Sequence, residues 1–497
     1  MSNKKTLLLL LSAIACSLPI WSGKYLPLTD LPQHVAQLAI LSNFRTPPFL
    51  FNRWFELHLF TPYSLYFIAG RVLTLVFSPM VAVKVLLSIN TLLLPVSFHV
   101  LLSETKGPRI IALIGFPIIF GANFFWGHLP FLFSVPLVIF FWSLTLNFME
   151  MPNKKNMLGL GLLSVALFFT HLMAYCYGLA IAGLLTALQS GSIKRKLAFL
   201  SVLLPSVGLG LFWLLSREIT PQNISPISWS IGWYRLFELP QLIIGFDRYW
   251  QTNVALIFLL IGLFSIQKKI SRDFWRWVPV TVTLAFCLFG PSSFFQTPLL
   301  IAQRFSVFLI PASLFIYRDI PKRNEARDWV SRLIIACTTV GLSLSLAQRF
   351  IQFNAEAKDF DVVLNKMKPN RCLLMFDRHI FNASHLFMPT LYFGAYYQIF
   401  KGGLFEFTFA NFPHQIAGYK NNFDPLPIKY GYRWEKTDMS CGFDYYLIHS
   451  QENEVARLNP LAKKNMKTLV NQGPWWLFER VNFQSPAPDS KRQFSPP

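Results

Sequence analysis

An acid and an imidazole one helical turn apart, Asp30 and His34 in Leu28-Thr29-Asp30-Leu31-Pro32-Gln33-His34, are the groups of this chain best placed to do chemistry. A carboxylate there can take a proton from a hydroxyl or help hold a divalent metal, and residues four apart on a helix face the same side. His128 and His171 stand in two other short breaks between apolar runs. Three histidines converging from separate loops would suit proton transfer or metal ligation. Arg304, in Pro298-Leu-Leu-Ile-Ala-Gln-Arg304-Phe305, can grip a phosphate through two N–H groups at once. Arg53, Glu56 and His58 share the loop that Asp30 opens, with Glu56 the reserve carboxylate and Arg53 a further cation for substrate.

Each of these residues also has a structural explanation. Asp30 with Gln33 three residues on has the spacing of a capping box, ahead of an amphipathic helix expected from Leu31 to about Phe44. Capping and catalysis are compatible. A lone histidine is often hydrogen-bonded structure, an arginine at the mouth of an apolar span can snorkel to lipid headgroups, and loop acids are commonly solvated. The stretch 217 to 251 sets Trp229, Trp233, Tyr234, Tyr249 and Trp250 beside Glu238, Asp247 and Arg248. It could stack a sugar ring, or form an aromatic belt at the membrane surface.

The elements that must position these residues are membrane spans. The 497 residues are 53% hydrophobic and only 14% charged, with a mean hydropathy of +0.41. The chain carries many separate apolar runs long enough to cross a bilayer. The 45 Lys and Arg against 24 Asp and Glu would suggest nucleic acid in a soluble protein. Here they form short clusters that mark one membrane face: Lys4-Lys5, Lys106 with Arg109, Lys154-Lys155, Lys194-Arg195-Lys196, Lys268-Lys269 with Arg272 and Arg276, and Arg318 with Lys322-Arg323 and Arg327. No nucleic-acid partner is implied.

Short basic loops stay cytoplasmic, so adjacent clusters must be joined by an even number of crossings. Residues 157 to 189 would make a helix of roughly 50 Å against a ~30 Å hydrocarbon core, so they are expected to cross twice, turning near Thr170-His171. The stretch 109 to 149 splits likewise at Asn123-Phe-Phe-Trp-Gly-His-Leu-Pro130. Residues 62 to 78, with Arg71 in the middle and Pro79 at the end, are expected to lie along the outer surface, leaving the crossing to 80 to 102. With spans near 6–22, 197–216, 252–267, 275–290, 303–318 and 329–348, about eleven crossings result. The first could instead be a cleaved signal peptide, with a weak lipoprotein look at Ala13-Ile14-Ala15-Cys16. Either way, Asp30 lies outside.

The fold class expected is therefore an α-helical polytopic membrane protein, residues 1–348 with a first outer loop at 23–79, followed by a soluble α/β domain at 349–480 and a disordered tail at 481–497 rich in Pro and Ser. Cys372 to Phe376, Tyr445 to Ile448 and Trp475 to Arg480 read as strands, Val455 to Val470 as a helix, and His385 to Phe400 as a second helix. Cys16, Cys176, Cys287 and Cys337 lie in apolar spans as small hydrophobes, whereas Cys372 and Cys441 share the outer domain, where a disulfide is permitted but not required. The chain lacks CxxC, HExxH, P-loop and GxGxxG patterns. Nucleotide hydrolysis and zinc proteolysis lose their usual support.

With a first span, a large outer loop opening on Thr29-Asp30, a surface helix, further spans and a C-terminal outer domain, the chain resembles the GT-C superfamily of polytopic glycosyltransferases that use polyprenyl-phosphate-linked sugars. It also resembles bacterial membrane proteins that share Asp30-Leu-Pro-Gln-His34, Trp126-Gly-His-Leu-Pro-Phe131 and Phe169-Thr-His171. The resemblance implies an inner-membrane enzyme of a bacterial envelope, working on the outer side. It would move a sugar from a lipid-linked donor to a lipid, glycan or protein acceptor. Asp30 would be the base, His34 and His128 would position acceptor or phosphate, and Arg304 would hold the donor phosphate. Where such loops carry paired acids, DxD or DE, this chain has Asp30 alone, with Asn123 and His128 in the second outer loop; a divalent metal is left open. Two other classes compete. A transporter or flippase of lipid-linked sugars would need charged pairs or broken helices near the midplane, in repeated halves, and no repeat is seen. A non-catalytic scaffold would use the outer domain to bind envelope partners.

Overall fold

The computed structural model describes residues 3–216, 229, 232–244, 250–291, 293–294, 297–298, 300–322, 324–377, 387–412, 414–420, 443–450 and 466–481. Helix α1 (Asn3–Trp21) leads through Gly23 to Leu28 into α2 (Leu31–Ser42), whose residues from Leu31 to Ile40 are all buried. Then α3 (Ser64–Leu73) has only ten residues, about 15 Å, too short to cross a bilayer. The next helix, α4 (Pro79–Glu104), has 26 and is capped by Ser78, whose hydroxyl accepts from the Val81 N–H. Residues 109–120 follow as tight 3-10 turns, ahead of the short α5 (Ala122–Trp126).

Three long helices come next. They are α6 (Leu129–Glu150), with Pro130 in its first turn, α7 (Lys154–Thr170), capped by Asn153, and α8 (Leu172–Leu188), which starts where the chain turns extended at His171. After α9 (Ile193–Leu215) come α10 (Tyr234–Ile244), α11 (Trp250–Ser265) and α12 (Val278–Phe289). The segment from 301 to 316 is broken into α13 (Ile301–Phe305), α14 (Leu309–Ser313) and 3-10 turns. Among the described residues, five segments are long and apolar enough to span a membrane: 79–104, 109–126, 129–150, 193–215 and 325–366. Leu197, Leu200, Leu204, Leu211 and Phe212 of α9 stay exposed, as side chains facing lipid would.

The basic loops meet one another. Lys106 pairs with Glu150 at 3.2 Å, the Asp319 N–H donates to the Lys106 carbonyl, and Arg276 donates to the carbonyls of Thr105 and Phe315. A short ladder joins β2 (Lys269–Ile270) to β5 (Tyr317–Arg318); another, β3 (Ser293–Phe294) with β4 (Thr297–Pro298), precedes α13. His128 stands at the opposite end of α6, 22 residues or about 33 Å from Glu150.

Helix α15 (Glu325–Lys366) links the two ends. It begins at the basic loops, where Asn324 caps Arg327 and Arg327 donates to the Ser265 carbonyl, and runs unbroken for 42 residues, about 63 Å. At its far end Asp361 accepts from Lys24 at 2.7 Å and from the Tyr25 hydroxyl at 2.6 Å. The boundary expected at 348 falls inside this helix. Beyond it a five-stranded sheet has the order β10 (Met466–Gln472), β11 (Trp475–Arg480), β9 (Tyr445–His449), β6 (Cys372–Asp377), β7 (Leu404–Phe405), with β6 parallel to both neighbours and β9, β11 and β10 antiparallel. Residues 466–470 are thus strand where helical spacing was expected, because pairing along β11 overrides a weak periodicity; 455–465 lie outside the described residues. The second expected helix is confined to α16 (Ala395–Lys401). Cys441, His385 and the tail from 482 also lie outside the described residues.

The sheet side and the chain from α2 to α3 are stitched together. Strand β1 (Phe55–Leu57) pairs antiparallel with β8 (Ala417–Tyr419). Gln33, fully buried on α2, donates to the Phe407 carbonyl at 2.8 Å and accepts from the Phe409 N–H at 3.1 Å, while Gln37 accepts from the Ala417 N–H at 3.0 Å. Gln33→Ala strands a buried N–H and a buried carbonyl, and should cost about 1–3 kcal/mol. Thermal unfolding of the detergent-solubilised protein would show the loss; an unchanged melting temperature would mean that these bonds do not hold the two parts together.

Candidate functional site

The turn Phe125-Trp126-Gly127-His128 is fastened directly onto the start of α2. The Thr29 and Asp30 N–H groups donate to the carbonyls of Phe125 and Trp126, at 3.0 and 2.9 Å, and His34 hydrogen-bonds to the Gly127 backbone. Only glycine fits at 127: its φ is +75°, and a Cβ would stand 3.0 Å from the backbone nitrogens of both Asp30 and Leu31. This close approach brings Asp30, His34 and His128 together.

The Asp30 side chain makes no capping hydrogen bond. Helix α2 starts through the Asp30 carbonyl, which accepts from the His34 N–H at 3.1 Å, and Gln33 is committed to the segment 407–409. The capping-box pattern is therefore not used as one. The half-buried carboxylate is left to face Arg304, whose positive charge acts on Asp30, His34, His128, His171 and Tyr63 alike.

Arg304 is placed by the short helix α13 and by Asn123, whose Nδ2 donates to the carbonyls of Gln303 and Arg304 at 2.8 and 3.1 Å; its guanidinium also reaches the Met173 sulfur at 3.5 Å. Asn123 Oδ1 faces His128 Nδ1 at 3.0 Å, and the His128 ring lies parallel to Trp126. His171, in the break between α7 and α8, shares a 3.0 Å hydrogen bond between its Nε2 and the Tyr63 hydroxyl and packs edge-on against Phe131. Tyr63 in turn lies 4.9 Å, ring to ring, from His414, whose carbonyl accepts from Thr61 at 2.6 Å.

Five of the seven expected residues thus converge: Asp30, His34, His128, His171 and Arg304. The other two stand apart. Arg53 is exposed on the turn 51–53, and Glu56, on β1, pairs with His58 at 3.0 Å; among the described residues neither bonds to the Arg304 group. Sequence reasoning missed Tyr63 and His414. Tyr63 reads as one more interfacial aromatic, and His414 lies more than three hundred residues along the chain from Thr61 and Tyr63. In the aromatic loop, Trp229 and Trp233 are exposed, while Asp247, Arg248 and Tyr249 lie outside the described residues.

Burial pushes the Asp30 carboxyl up to about 7 against the opposing pull of Arg304. The same burial, with the Arg304 charge adding to it, holds His34 down near 3 and keeps His128 and His171 well below the ordinary imidazole range. The three rings are neutral near pH 7. They exchange hydrogen bonds rather than charge. These residues do not fit a divalent metal: Asp30 is the single acid, it shares its site with a guanidinium, and no three metal-ligating side chains are grouped among the described residues.

No family model matches the sequence, and no curated protein matches it. Among solved structures, the chain is similar over 97% of its length to the arabinofuranosyltransferase AftD from Mycobacteria, with a TM-score of 0.49 and 10% identity. It spans 40% of that protein's chain. It is also similar, again over 97% of its length, to ArnT from Cupriavidus metallidurans in the apo state, with a TM-score of 0.48, 12% identity and 99% of that chain covered.

An acid whose pKa rises from about 4 unfolded to about 7 folded withdraws stability as the pH climbs through that window, because the unfolded chain releases the proton first. Asp30→Asn should therefore melt higher than the natural protein at pH 8, with the gap closing as the pH falls toward 4. A variant that is destabilised at pH 8 would show that the carboxylate is there for structure.

Proposed function

We propose that the protein is a membrane glycosyltransferase that moves a sugar from a polyprenyl-phosphate donor to an envelope lipid, glycan or protein acceptor. The reading is carried by one observation: Asp30 and Arg304 meet at a half-buried site among three neutral imidazoles. A carboxyl poised near neutral pH is strong enough to take a hydroxyl proton and weak enough to be regenerated. As the acceptor oxygen bonds to the anomeric carbon, the bond from that carbon to the phosphate oxygen breaks, and its electron pair stays on the phosphate. Asp30 receives the hydroxyl proton. Arg304 meets the charge that grows on the leaving phosphate.

The basic face belongs to the cytoplasm in this reading, which sets the Asp30 site and the sheet on the outer side of an inner membrane. Residues 1–348 are then the membrane portion and 349–480 the outer portion, joined through α15. Reporter fusions after residues 128, 171 and 360 should all report a non-cytoplasmic position; a cytoplasmic signal at 360 would reverse the orientation.

Asp30→Asn keeps the size of the side chain and should lower transfer of labelled sugar from a polyprenyl-phosphate donor, in membranes, by about a hundredfold or more. At donor concentrations well below saturation, the rate in the natural protein should climb with pH up to about 7 and then level off, as Asp30 loses its proton. A well-expressed Asp30→Asn with full activity would remove the base from the scheme. Movement of lipid-linked sugar across the bilayer with no new glycosidic bond would make the protein a transporter instead.

A further inference from the structure

The amide of Asn123 fixes which nitrogen of His128 carries the proton. Asn123 Nδ2 points at two carbonyls, those of Gln303 and Arg304, and carbonyl oxygens only accept. The amide cannot be turned around, so its Oδ1 is the atom facing His128 Nδ1 at 3.0 Å. An acceptor opposite a ring nitrogen requires an N–H there. Buried beside the Arg304 charge, the ring has one proton to place, and it is on Nδ1. Nε2 is left as a bare lone pair; it has no hydrogen-bond partner among the described residues, and it is not sealed from solvent. The ring plane is set by the parallel Trp126 and by the turn at Gly127.

A bare lone pair repels the oxygens of a phosphate and attracts an O–H. We propose that His128 binds a hydroxyl of the sugar or acceptor through Nε2, and that the phosphate is left to Arg304. The assignment rests on the transfer reading and decides between two roles for this ring. Asn123 acts on the substrate only through His128, and through the backbone of Arg304.

The test uses the full-length protein in lipid nanodiscs with 15N-labelled histidine, the His128 resonances being assigned by their absence in His128→Gln. Nδ1 should be protonated and Nε2 bare. Octyl β-glucoside, as a hydroxyl probe, should move the Nε2 resonance, and undecaprenyl phosphate, as a phosphate probe, should not. A protonated Nε2, a shift with the phosphate lipid alone, or no shift with either probe would overturn the assignment. In the transfer assay, His128→Gln places an amide oxygen near the Nε2 position and should keep activity within about threefold, whereas His128→Asn keeps the bond to Asn123 but loses the acceptor, and should lose about tenfold, as expected for one hydrogen bond. Equal losses in the two variants would show a merely structural ring. If the natural protein makes no glycosidic bond while Nε2 still answers to the glucoside, the transfer reading fails and the hydroxyl site stands.

Discussion

Burial and the Arg304 guanidinium pull the Asp30 carboxyl in opposite directions, burial the more strongly, and that contest sets the character of the site. The arrangement around the pair follows from that constraint. Asp30 can reach the site only if the chain leaves α1 and turns into α2 at that level, and Arg304 only if the segment after residue 300 breaks into short turns instead of one straight helix. The turn at Gly127 then has to pass within backbone contact of both Asp30 and Leu31. A second cation would undo the balance. Burial, with the Arg304 charge adding to it, keeps the imidazoles neutral, and their hydrogen bonds run to Asn123, Tyr63 and the backbone.

Charge balance does not by itself hold loops in place. The frame is α15, whose surplus beyond a ~30 Å core carries the chain from the basic loops to the sheet. Its last turns meet Tyr25 and Lys24 at Asp361, Gln472 at Asp359, and Trp475 at Phe360. Because Gln33 and Gln37 bond the other side of the same region, helix α2 is held by the segments around 407 and 417 on one flank and by the Trp126 turn on the other. The first helix turn after Asp30 therefore has little freedom to move. On the transfer reading, a base that must meet a hydroxyl within a few tenths of an ångström gains from that rigidity.

Much of the site was legible in the sequence because membrane topology is a strong filter. Polar residues at the breaks between apolar runs have few places to go, so Asp30, His34, His128, His171 and Arg304 could be grouped before any coordinates. What the filter lacks is distance. Glu56 passes it as well as Asp30 does, yet pairs with His58 on a strand edge. Tyr63 and His414 escaped because nothing in their spacing marks them; Tyr63 joins the group through His171, 108 residues away, and His414 through Thr61 and the Tyr63 ring. The capping pattern at Asp30 and Gln33 misled for a related reason: it describes local bonds, and a long-range partner, the segment 407–409, took the glutamine. In the sheet, three expected strands stand where their apolar runs predict, whereas residues 466–470 pair with β11 despite a helical pattern.

On the transfer reading, the same electrostatics makes the strength of the base depend on what is bound. Burial raises the proton affinity of Asp30 and Arg304 lowers it, leaving the carboxyl near 7. A donor phosphate held by Arg304 occupies the charge that had favoured the ionised acid, and adds a negative neighbour of its own. Both changes raise the proton affinity of Asp30. The carboxylate therefore becomes a better base when a donor is in place than when it is not, provided that the three imidazoles remain neutral and do not supply a replacement positive charge. Their burial, a cost by itself, is what makes that coupling possible.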